Sequence, residues 1–529
     1  MELIGLSFIG SQRGSRDGDS FQAFAPQTGD LLQPVFRSAT PQELDHAARL
    51  ATEGFASYSQ TSGKTRAAFL RRIADGFESH RDALAQRAHL ETALPMPRLT
   101  GEVTRTANQF RMFAGVVEEG SWVHARIDPA LPDRQPLPRP DIRSMLRPLG
   151  PVAVFGASNF PLAFSVGGGD TASALAVGCP VIVKAHPAHP GTSELAAAII
   201  CESVIAKDLH PGVFSMLFDS GVAIGTALVK HPLIRAVAFT GSLHAGRALM
   251  DLAAARPDPI PCFTEMSSGN PVFILPSALR KGPAALAQSL FGSFTLGAGQ
   301  FCTKPGIVLL RDSAEGTEFL NQLKALVEES QPFTLLTESI AREYNRATAE
   351  RADQITLSAQ ASTAGARGFS AQAKVFTASS QEFLYQPNRA KGGLGLANEI
   401  FGPDTLVVAG DEQDIKIVAQ RLDGHLTATI LGDEDDLAAN RELIHILEQK
   451  AGRLIFNGFP TGVEVTHAMV HGGPYPSTSD PHFTSVGSLA IYRFARPVCF
   501  QNFPQAMLPP ELQDANPLRI TRLRDGKQE

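Results

Sequence analysis

A cysteine set between glycines and a strand is where chemistry can begin in this chain. Cys302 lies in FTLGAGQFCTKPG, residues 294 to 306, a small-residue stretch between a predicted helix and a predicted strand. Backbone N–H groups at such a junction can stabilise a thiolate, the form of cysteine that attacks carbonyl carbon. Taken alone the position says little, because a free cysteine is by default a small buried apolar residue. Glu265 ends the predicted strand PCFTEM, where a carboxylate can act as general base or can simply bind backbone N–H groups.

These residues need a scaffold. From about Gly150 to Pro276 the sequence repeats one theme: a short apolar run, a Gly/Pro turn, then a stretch with helical spacing. PVAVFG, PVIVKA, VFSMLF, RAVAFTG and PCFTEM read as buried strands, with GTSELAAAIICESVIA and SLHAGRALMDLAAA as helices between them. That alternation gives a parallel, doubly wound sheet. PVFILP, GIVLL, DTLVVAG, LTATIL and GRLIFNG form a second series, so the fold class is α/β. Pro41 to Ser79 and Arg98 to Glu118 carry long helical patterns with charged outer faces. The stretch LPDRQPLPRPDIRSMLRPL, residues 131 to 149, is too rich in proline for a central helix and reads as an extended arm. The polar tail after Phe500 is expected either to wrap along a neighbouring surface or to be loosely ordered.

At 529 residues the chain exceeds what one hydrophobic core usually supports, which favours an enzyme of at least two domains. Its net charge is −6, with 47 basic residues scattered among 53 acidic ones, and nothing points to nucleic acid. The N-terminus lacks the marks of a secretory signal, and no apolar run is long enough to cross a bilayer. The chain is therefore expected to be soluble and cytoplasmic. Five cysteines (Cys179, Cys201, Cys262, Cys302 and Cys499), odd in number and without CxxC pairs, fit a reducing compartment. No metal is expected, and His186 and His189, without acidic or thiol partners nearby, are expected at the surface or beside a ribose.

The ordered motifs resemble the aldehyde dehydrogenase superfamily over nearly the whole chain. Gly299-Gln300-Phe301-Cys302 is similar to its nucleophile motif, Thr264-Glu265-Met266 to the strand end carrying its base, and Ser158-Asn159-Phe160-Pro161 to its oxyanion-binding loop. Phe239-Thr240-Gly241-Ser242 resembles the turn under the cofactor pyrophosphate, and Glu399-Ile400-Phe401-Gly402-Pro403 the segment at the nicotinamide ribose. The resemblance implies an aldehyde dehydrogenase-like fold of two doubly wound parallel-sheet domains plus a small β oligomerisation arm. Residues 1–130 and 150–264 would form the dinucleotide-binding domain and 265–480 the catalytic domain. Residues 131–149 and 486–500 would form the arm, pairing beside a late strand such as 487–494 in a homodimer or homotetramer, and 501–529 a C-terminal tail.

It also implies a reaction. Cys302 would form a thiohemiacetal with an aldehyde, Asn159 and the Cys302 N–H would hold the oxyanion, and hydride would pass to a nicotinamide. Glu265, its pKa raised by partial burial, would then activate the water that hydrolyses the thioester. At the cofactor, Lys184 would reach the adenosine ribose. The carboxylate that commonly repels a 2′-phosphate three residues later is replaced by Pro187, so NADP is the expected cofactor and NAD the alternative.

FGASNFPLAFS, VKAHPAHPGTSE, PALPDRQPLPRPD and TLGAGQFCT are similar to the branch that acts on 2-oxoglutarate semialdehyde (2,5-dioxopentanoate) in carbohydrate catabolism. Long-chain fatty aldehydes are the alternative substrate. A scaffold that has lost catalysis, and acyl transfer to coenzyme A, are opposed by retention of Cys302, Glu265 and Asn159 together. A substrate carboxylate needs a cation, and Arg105, assisted by Gln109 one turn on, is the expected anchor, with Phe160 and Phe164 as tunnel walls. Two departures mark a divergent branch: Ser267 and Ser268 precede Gly269, and HGGPYPSTSD replaces a glycine-rich close.

Overall fold

The computed structural model describes residues 2–385, 395–460 and 462–529. Every strand expected in the two apolar series forms. In the first sheet Cys262–Glu265, Ala236–Thr240, Val152–Phe155, Val181–Lys184 and Phe214–Leu217 lie side by side in parallel, and Phe8–Ile9 and Gln12–Arg13 extend one edge antiparallel. The chain runs outward from Val152–Phe155 in one direction, then returns to place Ala236–Thr240 on its other side. The crevice beyond the carboxyl ends of those two neighbours is thus a topological switch point, where doubly wound sheets take ligands.

The second sheet runs Thr356–Gln360, Lys374–Ser379, Asp404–Gly410, Ile307–Arg311, Val272–Ile274, His425–Leu431 and Ala451–Phe456, parallel except for the first strand. Apolar clusters cover both faces of each sheet. The carboxyl end of the first sheet meets segments that precede strands of the second. Glu265 comes from the former, and Cys302 and Glu399 from the latter.

The long helical pattern from Pro41 to Ser79 is two helices, Pro41–Tyr58 and Gly63–Ser79. Ser62 breaks it, because its side chain accepts the Thr65 N–H and caps the second helix. Arg81–Thr92, outside the helical patterns picked out above, is also helical. Met96–Glu119 buries Phe110 and Phe113 completely, about 2–3 kcal/mol each, and so fixes the face that carries Arg105 and Gln109.

The arm is extended as expected, but its partner differs. Ile142–Pro148 pairs antiparallel with Ala495–Gln501, whereas Ser488–Phe494 forms a 3₁₀ helix with Ala490, Ile491 and Phe494 buried. Apolar residues in that segment recur at turn spacing rather than in alternation. The tail wraps on the same arm: Leu523–Arg524 pairs with Arg126–Asp128, and Arg522 is buried with hydrogen bonds to the Gln513 and Asp514 carbonyls. No described helix is long and apolar enough to cross a membrane.

Candidate active site

Cys302 follows a left-handed turn. Gly297, Ala298 and Gly299 all have positive φ (57°, 60° and 69°), a conformation that Ala298 adopts only at a cost in strain. At Gly299 a Cβ would stand 2.1 Å from the Gly402 carbonyl oxygen, so only glycine fits. Beyond the turn, the Asn270 amide donates to the carbonyls of Cys302 and Lys304 at 2.8 and 2.9 Å, while its oxygen accepts from Ser268 and Thr427. Buried Lys304 pairs with Asp404, which also accepts from Arg351 at 2.7 Å, and donates to the Ile400 carbonyl. The cysteine loop and the Glu399–Phe401 segment are thereby tied to one charged cluster, expensive to break once buried.

The three catalytic candidates converge. Asn159 donates to the Gln300 carbonyl at 2.9 Å, which places its amide beside the cysteine loop, and Arg98 holds the Asn159 carbonyl at 2.7 Å. Arg98 itself rests against the rings of both Phe160 and Phe301, 4.9 and 4.5 Å away. Glu265, buried at the end of its strand, accepts from the Ser485 hydroxyl. Between acid and thiol stands a residue that the sequence does not single out, His471: its Nε2 is 3.3 Å from Cys302 Sγ and 2.9 Å from Glu265 Oε1. Nδ1 is buried without a partner, so Nε2 is the atom through which the ring meets both groups. His471 opens the HGGPYPSTSD segment, whose departure from the glycine-rich pattern is the one signal of it that the sequence carries.

The electrostatics correct one expectation. Burial alone would raise the Glu265 carboxyl, but the His471 charge, hydrogen bonds from His471 and Ser485, and the Arg493 charge outweigh it and hold the group below its ordinary value. Glu265 is thus a paired carboxylate rather than one lifted by partial burial. The Cys302 thiol is pushed well above its usual value by burial and by the negative charges of Glu265 and Glu399, against which Arg105 and Arg453 pull. Half-buried Glu399 is raised to about 7 by burial, despite Lys304 and hydrogen bonds from Ser267 and Ser268.

A cavity of about 860 Å³ runs from Cys302 and Glu265 to the first sheet's switch point. Phe239, Thr240, Gly241 and Ser242 line it, as do Glu399, Phe401 and Pro187. Ser242 caps the helix Leu243–Ala254, whose first turn faces this space with the partial positive charge that suits a phosphate. Lys184 ends its strand beneath this region and is not among the lining residues; burial lowers its ammonium pKa. His186 lines the cavity, but His189, expected at the surface or beside a ribose, is fully buried and bonded to the Ala157 carbonyl at 2.9 Å. It closes a strand-to-helix turn instead.

On the other side of Cys302, Phe160, Phe164 and Phe301 join Val463 and Val486 in an apolar cluster. Arg105 lays its guanidinium over Phe164 at 5.3 Å, with Nε and Nη2 shielded from solvent and meeting no acceptor. Gln109, buried on the same helix face, does not assist Arg105. Its amide donates to the Ala163 carbonyl at 3.2 Å and secures the Asn159 loop.

Comparison with known proteins agrees with this geometry. The family model described as "Aldehyde dehydrogenase family" matches residues 13–478. Alpha-ketoglutaric semialdehyde dehydrogenase 2 of Azospirillum brasilense is 47% identical, covering 100% of both chains. Alpha-ketoglutaric semialdehyde dehydrogenase of Acinetobacter baylyi is 44% identical over 99% of each. Among solved structures, an NAD⁺ complex of a Bacillus cereus aldehyde dehydrogenase superposes with a TM-score of 0.78 at 21% identity, covering 94% of this chain and 96% of that one. A family match through both sheets, and relatives similar from end to end, leave one conclusion: this chain belongs to the aldehyde dehydrogenase family.

Proposed function

We propose that the protein oxidises 2-oxoglutarate semialdehyde to 2-oxoglutarate with a nicotinamide cofactor. The observation that carries the substrate class is Arg105, a shielded cation without an acceptor on the aldehyde side of Cys302. The activity named for the two full-length relatives points the same way. An alkyl chain would leave that guanidinium buried and unpaired, which disfavours long-chain aldehydes.

The chemistry of the cavity lining suits the cofactor. Phe239 to Ser242 and the helix they open would hold the pyrophosphate, and Glu399 the nicotinamide ribose, with Phe401 beside it. Bound there, the nicotinamide accepts the hydride that aldehyde oxidation releases. Pro187 at the lining presents no carboxylate to a 2′-phosphate, so NADP is the preferred form and NAD the alternative. The residues divide the remaining work. His471 Nε2–H, shared between Glu265 and Cys302, holds the thiolate as the Cys302 proton leaves to solvent, and the sulfur bonds the aldehyde carbon. Asn159 and the Cys302 N–H hold the oxygen as negative charge develops. Once hydride has left, the Glu265–His471 pair takes a proton from the water that cleaves the thioester, releasing the acid and the free thiol.

The Glu265 carboxylate argues for hydrolysis over acyl transfer, and retention of the whole catalytic set argues against a silent scaffold. The arm presents Ala495–Gln501 as a free sheet edge, consistent with assembly into a homodimer or homotetramer. The direct test is an assay of purified protein with 2-oxoglutarate semialdehyde, glutaraldehyde and a long alkanal, each with NAD and NADP. The oxo acid should give the highest kcat/KM; preference for the alkanal overturns the substrate reading.

A further inference from the structure

Shielded guanidinium nitrogens ordinarily find acceptors, because a buried charged N–H without one costs stability. Among the described residues, Arg105 and Arg453 are the arginines with two such nitrogens unpaired, Nε and Nη2 in each case. Nε and Nη2 form the side edge of the guanidinium, which can grip a carboxylate through two parallel hydrogen bonds. Arg98 has one unpaired nitrogen, Nη1, and already spends another on the Asn159 carbonyl.

Arg453 comes from the edge strand Ala451–Phe456, far from the helix that carries Arg105. Its Nη1 meets the Met469 sulfur at 3.8 Å, a weak acceptor. Met469 packs on the cluster of Phe160, Phe164 and Phe301, the same cluster on which Arg105 rests. Both charges also act on the Cys302 thiol. A helix and a sheet edge therefore bring two unpaired cations to one apolar cluster beside the nucleophile.

We propose that Arg453 is a specificity-determining residue which, with Arg105, clamps the 2-oxo-acid end of the substrate; the assignment rests on the substrate reading above. An α-oxo carboxylate offers two carboxylate oxygens and a ketone oxygen. One guanidinium edge satisfies the carboxylate, and the second bridges the ketone oxygen and the nearer carboxylate oxygen. An ω-carboxylated aldehyde without the ketone fills only the first edge, and an alkanal fills neither.

The test compares wild type, Arg453→Met and Arg453→Lys on 2-oxoglutarate semialdehyde, glutarate semialdehyde and pentanal. Arg453→Met should lose roughly 10- to 100-fold more in kcat/KM on the oxo acid than on pentanal, the excess falling chiefly on KM and the loss common to both reporting its charge on the Cys302 thiol. Lysine, a point charge without the fork, should restore only part of the loss. Equal losses on all three substrates, or an unchanged ratio of oxo acid to glutarate semialdehyde, would overturn the clamp. A second measurement needs no variant: 2-oxoglutarate should inhibit wild type at least about ten times more tightly than glutarate, and equal inhibition removes the proposal. If wild type shows no preference for the oxo acid over pentanal, the substrate reading itself falls. A wild-type preference that survives undiminished in Arg453→Met removes Arg453 alone.

Discussion

His471 Nε2 lies 2.9 Å from Glu265 Oε1, and the same nitrogen lies 3.3 Å from Cys302 Sγ. Nucleophile and base therefore share one proton-carrying atom instead of acting on opposite sides of the substrate. Replacing His471 with Phe keeps a ring of similar shape but removes the N–H that holds the thiolate. We expect kcat to fall by roughly 10²- to 10³-fold, as for loss of one preorganised donor to a developing anion. Iodoacetamide labelling of Cys302 at neutral pH should slow in parallel, because burial and two nearby carboxylates already disfavour the thiolate. A kcat within about twofold of wild type would remove His471 from the proton path.

Glu265→Gln tests the second half of the reaction. Glutamine can still bond His471 and Ser485, so attack and hydride transfer should survive, whereas water activation should not. Stopped-flow mixing should show a burst of about one reduced cofactor per subunit, then turnover slowed by roughly 10²- to 10⁴-fold. Loss of the burst as well would mean that Glu265 already acts, through His471, when the thiol gives up its proton.

Much of this site can be read from residue order because it lies where regular elements end. Cys302, Glu265 and Asn159 sit at strand or helix ends whose apolar runs are plain, and the structure brings all three together. His471 escapes notice because it sits in an irregular segment after the last strand of the second sheet, where no periodicity marks which way a side chain turns. Ser485 escapes for the same reason. Lys304, Asp404 and Arg351 are separated by long stretches of chain, and nothing local shows that such charges are buried together. The expected partner of the arm is misplaced by several residues because an apolar segment such as 488–494 suits a strand and a buried turn equally.

Pro187 gives a prediction about the cofactor. It lines the cavity beside His186 and Ala188 and presents no charge there. Pro187→Glu introduces a carboxylate where a 2′-phosphate would sit, so KM for NADP should rise by about tenfold or more while KM for NAD stays level or falls. Steady-state kinetics with each cofactor and one fixed aldehyde measure the ratio. An unchanged ratio would separate Pro187 from the 2′ position and leave the cofactor preference to other groups.

Glu399 supplies a pH signature. Burial raises its carboxyl to about 7 from an ordinary 4.5, although Lys304 and the Ser267 and Ser268 hydrogen bonds resist the shift. The folded state therefore binds this proton more tightly than the unfolded chain does. Its contribution to stability is complete below about 4.5 and is lost as pH rises through about 7. Glu399→Gln carries no such proton, so its stability should decline less between pH 6 and pH 8.5. In thermal unfolding, Tm of wild type should fall by about 1–3 °C more than that of the variant across this interval. Parallel Tm profiles would mean that the Glu399 carboxyl is already ionised at neutral pH, with Lys304 outweighing burial.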